Sequence, residues 1–138
     1  MPSDSASEGD LKKLAEELPV VRIVDTLLKH AIIQNASDIH IEPQENELLV
    51  RYRIDGMLEE KYLLPRNVQD AVVSRIKILC NMKIDEKRVP QDGRFFFSVD
   101  DKDVDLRVST VPTTYGEKVV MRLLRKSQKV PELPDLGL

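Results

Sequence analysis

The chain has 138 residues, the size of one domain that buries roughly two thirds of the surface its unfolded form exposes, so a single core is expected. Its composition, 41% hydrophobic and 33% charged, is that of a soluble globular protein, and no apolar run approaches the roughly 20 residues that cross a bilayer. With 21 basic and 24 acidic residues the net charge is -3, which excludes a global positive field for nucleic acid or anionic lipid; any anion site must be local.

The start, Met1 to Asp10, has neither a basic residue nor an apolar stretch, so it is not a secretory signal peptide. Residues 1–18 are expected to be a disordered leader or the arbitrary boundary of a longer chain. From Pro19 the residues Val20, Val21, Val24, Leu27, Leu28, Ala31 and Ile32 recur at spacings of three and four, which predicts a helix over about 19–35 that ends near Asn35. Ser37 to Pro43 then alternates Ile39 and Ile41 with Asp38, His40 and Glu42, the period of a half-buried strand. After a turn at Gln44-Glu45-Asn46, Leu48 to Asp55 alternates again, with Val50, Tyr52 and Ile54 on one face and Leu49, Arg51 and Arg53 on the other. Asp55-Gly56 is a strong hairpin signal because glycine accepts positive φ, and Met57 to Leu64 supplies the returning strand.

A second helix is predicted from Pro65–Asn67 to about Asn81, with Val68, Ala71, Val72, Ile76 and Leu79 on one stripe and Arg75 and Lys77 beside it. Arg94 to Val99 and Val104 to Thr110 form another hairpin joined by residues 100–103, and Gly116 to Arg125 is a final strand. Two helices with about six short, mostly hairpin-joined strands predict an α+β fold, a largely antiparallel sheet with helices on one face. The tail from Ser127 to Leu138 holds two prolines and little periodicity, as a linker toward a further domain would.

Several chemistries are excluded. None of the five glycines is followed by lysine, so there is no phosphate-cradling P-loop, and no nucleophile elbow or His-Glu-x-x-His helix occurs. Cys80 is the only cysteine, which rules out an internal disulfide and paired-cysteine zinc sites and suits a reducing cytoplasm. Asp38, His40 and Glu42 share one strand face, but no fourth metal ligand is identifiable and no nucleophile stands beside a His/Asp base, so no metal site or catalytic residue is assigned. Phe95-Phe96-Phe97 alternates across a strand and is better placed in core packing than in base stacking, so nucleic-acid binding is not expected. Phe95, Phe97, Leu106 and Val120 are expected to crowd a single sheet face.

The most informative stretch runs from Ile84 to Arg125. Arg88-Val89-Pro90-Gln91-Asp92-Gly93-Arg94 sets a rigid proline and a flexible glycine around a turn, which holds Arg94 at a strand start; Arg107 and Arg122 lie mid-strand. Guanidinium groups present planar forks matched to phosphate, so converging arginines suggest an anion-binding edge. The competing reading pairs each arginine with one of the aspartates at 92, 100, 101, 103 and 105.

The segments Ala36-Ser37-Asp38-Ile39-His40-Ile41-Glu42-Pro43, Val50 to Gly56, Arg88 to Arg94, Asp105 to Thr110 and Gly116 to Arg122, in that order, resemble the second amino-terminal domain of the type II secretion and type IV pilus assembly ATPases, over about residues 19–138. The resemblance implies a PAS-like α+β domain over 19–126, a linker over 127–138, and a missing catalytic ATPase domain that carries the P-loop. It implies a cytoplasmic homo-hexamer, peripheral to the inner membrane through a platform and other secretion or pilus assembly proteins, with ATP and Mg in the full-length protein and none on this stretch alone. By motif position Arg94 and Arg107, and more weakly Arg88 and Arg122, would contact nucleotide phosphates. It implies a scaffold role for the Asp38-to-Glu42 motif. A PAS-like small-ligand sensor or interaction scaffold is the rival reading, which would require an enclosed apolar pocket with a few convergent polar groups.

Overall fold

The structure, a computed structural model, describes residue 9 and residues 16–125. The linker expected over 127–138 and most of the leader lie outside the described residues. Helix α1 (Leu18–Ile33) is followed by strands β1 (Asp38–Pro43), β2 (Glu47–Ile54) and β3 (Met57–Pro65), a 3₁₀ turn (Arg66–Val68), helix α2 (Gln69–Leu79), and strands β4 (Gln91–Val99), β5 (Lys102–Thr113) and β6 (Gly116–Arg125). Among the described residues no helix is long and apolar enough to cross a membrane.

Both helices stop where an asparagine takes a left-handed conformation. Asn35 (φ 62) and Asn81 (φ 59) each follow the last helical carbonyls, and the next residue bonds back across the turn, Ala36 N–H to Ala31 O at 2.9 Å and Met82 N–H to Lys77 O at 2.9 Å. Those reverse bonds satisfy carbonyls that a helix end would otherwise leave open. The turn of β2–β3 holds Asp55 (φ 53) and Gly56 (φ 83), and that of β4–β5 holds Asp100 (φ 46) and Asp101 (φ 67). Two successive positive-φ residues match the right-handed twist of the flanking strands, so the second hairpin turns in two residues rather than over 100–103.

The six strands form one antiparallel sheet in the order β3-β2-β1-β6-β5-β4. Each half is a meander, and the two halves meet at the β1–β6 seam, where Asp38 faces Arg122 and Ile39 faces Met121. Both helices cover one face. Ile39, Ile41, Val50, Tyr52, Leu106, Val108, Met121 and Phe95 point into the core with Leu28, Ile32, Val72 and Ile76. The buried Tyr52 hydroxyl donates to Leu27 O at 2.7 Å and ties β2 to α1.

Three expectations are corrected. Val120 lies opposite Ser109, on the face away from Phe95, Phe97 and Leu106, because Val119, Met121 and Leu123 take the inward positions of β6. Gly93 is not in a turn. It sits within β4, facing the end of α2, where an added Cβ would lie 2.8 Å from Cys80 Cβ and 3.1 Å from Cys80 O. Arg94 is accordingly the fourth residue of β4 and not at its start.

Candidate functional site

The period of two dictates which way each arginine points. In β5 the apolar side chains Val104, Leu106 and Val108 turn toward the helices, so Arg107 must turn away; Arg122 between Met121 and Leu123, and Arg94 before Phe95, do the same. The strand register then aligns them. Arg94 faces Arg107, Arg107 faces Arg122, Arg122 faces Asp38 and Asp38 faces Arg53, a row across five strands on the face opposite α1 and α2.

Adjacent like charges in such a row repel, and the structure offsets three of its four arginines with carboxylates. Arg94 Nη2 donates to Asp105 Oδ2 at 2.7 Å, with its guanidinium 5.7 Å from the centre of the Phe96 ring. Arg122 Nε donates to Asp38 Oδ1 at 3.1 Å, while Arg53 Nε lies 3.3 Å from Asp38 Oδ2. The exposed Arg107 makes no ion pair or side-chain hydrogen bond among the described residues. The five aspartates proposed as partners therefore account for Arg94 alone.

Arg94, Arg107 and Arg122 line an open concavity of about 680 Å³ with Asp92, Gly93, Val108, Ser109 and Val120. Arg88 is not part of it. That residue is exposed in the α2–β4 connection, where its backbone N–H donates to Glu86 Oε1 at 3.0 Å. The concavity is charged and open, unlike the enclosed apolar pocket that a small-ligand sensor requires.

Beside the arginine row, Glu42 accepts a hydrogen bond from Arg51 Nη2 at 2.6 Å and lies 3.4 Å from Lys118 Nζ and 3.7 Å from His40 Nδ1. Burial pushes the Glu42 carboxyl up, but the Arg51 hydrogen bond and the charges of Arg51 and Lys118 outweigh it and hold its pKa below the ordinary value. The His40 pKa is lowered by burial first and by Lys118 second, against the opposing pull of Glu42 and Asp38. The acids of this strand are thus engaged by cations, and among the described residues no group of three or more His, Cys, Asp or Glu side chains could hold a metal ion.

Two supporting contacts had no sequence signal. Lys77, fully buried, bonds Glu117 Oε1 at 2.7 Å and Glu86 O at 2.9 Å, which fastens the connection carrying Arg88 to β6. The Gln91 side chain closes the same loop, accepting from Lys83 N–H at 2.9 Å and donating to Lys83 O at 2.9 Å. Asp38 and Arg53 were legible as strand residues on one face, but their place in the arginine row depends on the β1–β6 pairing.

Over residues 13–138 the chain matches a family described as Type II/IV secretion system protein. It is 50% identical over 137 residues to the Type II secretion system protein E of Xanthomonas campestris pv. campestris, which covers 97% of this chain and 24% of that protein. It is 46% identical over 144 residues to the Type IV pilus assembly ATPase PilB of Thermus thermophilus, covering 98% of this chain and 16% of that one. Among solved structures it is similar to the pilus retraction motor PilT with bound ADP, at a TM-score of 0.52 and 26% identity over 81% of this chain and 31% of that chain. It also resembles the Legionella pneumophila ATPase DotB, at a TM-score of 0.52 and 17% identity over 74% of this chain and 29% of that chain, a likeness of fold alone. The chain spans less than a third of the length of each of these proteins.

Proposed function

Since the chain belongs to the type II/IV secretion system protein family, we propose that it is the non-catalytic, PAS-like amino-terminal domain of a secretion or pilus motor ATPase, and that the sheet face opposite α1 and α2 completes the nucleotide site of a catalytic domain. The observation that carries this reading is Arg107. It stands exposed in the centre of the concavity with no partner among the described residues, flanked by two further guanidinium groups.

Chemically the lining fits phosphate. Each guanidinium is permanently charged and offers a planar fork of donors, and Ser109 adds a hydroxyl to the same wall. Asp92 is the one carboxylate of that lining, and the nearby Asp38 and Asp105 are engaged by arginine, so this face would offer a magnesium ion accompanying ATP a single carboxylate and the catalytic domain would supply the remaining protein ligands. The work of this chain is to bind and orient phosphate oxygens and to neutralise charge as the phosphoryl group transfers. Arginines brought to a transferring phosphoryl in trans are worth about 10³–10⁵ in rate. If catalytic domain and arginine face close on the nucleotide and part after hydrolysis, the same contact converts turnover into relative motion of the two domains. In a cytoplasmic homo-hexamer that motion would reach the inner-membrane platform that moves secreted or pilin-like subunits.

The test is turnover of the full-length ATPase carrying Arg107→Ala or Arg94→Ala. A fall of at least tenfold for Arg107→Ala is expected. Turnover within a factor of about two of the unaltered enzyme for both variants would remove this face from the mechanism.

A further inference from the structure

The three arginines of the concavity are held in different ways, and the difference assigns a role to a residue outside it. Arg94 is tethered through Nη2, an atom of its terminal fork. Arg122 is tethered through Nε, the atom nearest its stem, and its two terminal nitrogens have no partner among the described residues. A guanidinium gripped at Nε has lost most of its swing about the side chain but keeps the end fork that matches two phosphate oxygens.

The grip itself is rigid. Asp38 is only 5% exposed and sits at the seam of the sheet. Its Oδ2 accepts from Ser37 Oγ at 3.0 Å and lies 3.3 Å from Arg53 Nε. Ser37 is fixed on both sides, its N–H donating to Arg53 O at 2.8 Å and its carbonyl accepting from Leu123 N–H at 2.9 Å. Arg53 Nη1 donates to Gly56 O at 3.0 Å, so that side chain stays on the far side of the carboxylate from Arg122. Two cations share the one carboxylate, and Asp38 alone does not cancel the charge that Arg122 presents to the concavity.

We infer that Asp38 is a positioning residue: it aims the terminal fork of Arg122 into the concavity and prepares it for a phosphate, without touching the ligand. The inference rests on the phosphate reading of this face and adds to it a direction of effect. A carboxylate that merely competed for Arg122 would weaken anion binding; one that positions it strengthens binding.

Tripolyphosphate is the probe, titrated into the 138-residue chain and followed by NMR of the arginine side-chain N–H signals. The unaltered chain is expected to bind, Arg107→Ala and Arg122→Ala to bind more weakly, and Asp38→Ala to lose about tenfold in affinity, the scale of one charge-assisted contact. Combined with Arg122→Ala, Asp38→Ala should cost less than about a further twofold, because a positioning residue has nothing left to position. Should Asp38→Ala not fold, the unaltered chain decides: the Arg122 Nε–H signal should be protected from solvent exchange and stay in place as tripolyphosphate is added. Binding that is unchanged or tighter in Asp38→Ala, or an Arg122 Nε–H that exchanges freely, overturns the positioning role and leaves the phosphate reading standing. Absence of tripolyphosphate binding, or binding indifferent to Arg107→Ala, overturns both.

Discussion

Lys77 is the residue whose removal tests the fold most severely. Its side chain is 1% exposed, with Nζ 2.7 Å from Glu117 Oε1, 2.9 Å from Glu86 O and 3.5 Å from Ile84 O. Lys77→Met keeps most of the volume but strands a carboxylate that is itself 6% exposed and whose Oε2 already lacks a partner. Leaving one half of a buried ion pair uncompensated costs about 3–5 kcal/mol, a large share of the roughly 5–15 kcal/mol that stabilises a typical domain. Lys77→Met/Glu117→Leu removes both charges, and should be less damaging than the sum of the single changes by about 2–3 kcal/mol. It will not be neutral. The carbonyls of Ile84 and Glu86 lose their donor, which leaves a residual cost of about 1–3 kcal/mol. Urea unfolding of the four proteins with a shared m-value measures the cycle. The reasoning fails if Lys77→Met costs less than about 1 kcal/mol, or if the double variant is as unstable as the singles added together.

Gly93→Ala should destabilise by about 1–3 kcal/mol in thermal or urea unfolding, since the new methyl meets Cys80 Cβ at 2.8 Å and Cys80 O at 3.1 Å. Adding Cys80→Ala should not rescue it, because the colliding atoms remain; rescue would show that the sulfur was the obstacle. Stability should fall on acidification in two windows. The lowered His40 pKa means that the unfolded chain binds more protons as pH falls below 6.5, and the lowered Glu42 pKa does the same below 4.5. His40→Gln should flatten the upper slope and Glu42→Gln the lower, and unchanged slopes would contradict the assignment. Burial pushes the Cys80 thiol up to about 12, so alkylation at pH 8 should proceed only as fast as the protein opens; rapid labelling of the native state would contradict its burial.

Much of this was legible because alternation is a strict instruction. Leu106 and Val108 must face the helices, so Arg107 must face away, and no knowledge of the neighbouring strands is needed. What alternation leaves open is which strands meet. Asp38 and Arg122 are 84 residues apart, and only the β1–β6 seam reveals that one carboxylate serves Arg122 and Arg53 together. Val120 was misplaced for a related reason: Val119-Val120-Met121 is a continuous apolar run in which the period disappears, and the pairing with Ser109 settles the face. Lys77 looked like a flanking polar residue of α2 because its partner, Glu117, arrives from a strand 40 positions later. Gly93, three residues after Pro90, suggested a turn, whereas its lack of a side chain serves the close approach of Cys80 to β4.

The central claim is that the arginine face meets nucleotide phosphates held by another domain. A structure of the intact motor protein with a slowly hydrolysed ATP analogue tests it most directly. The account expects an Arg107 terminal nitrogen within about 3 Å of a phosphate oxygen, with Arg122 still bonded to Asp38 through Nε. Arg107 pointing into solvent, with the concavity facing away from the bound nucleotide in every subunit, would contradict it.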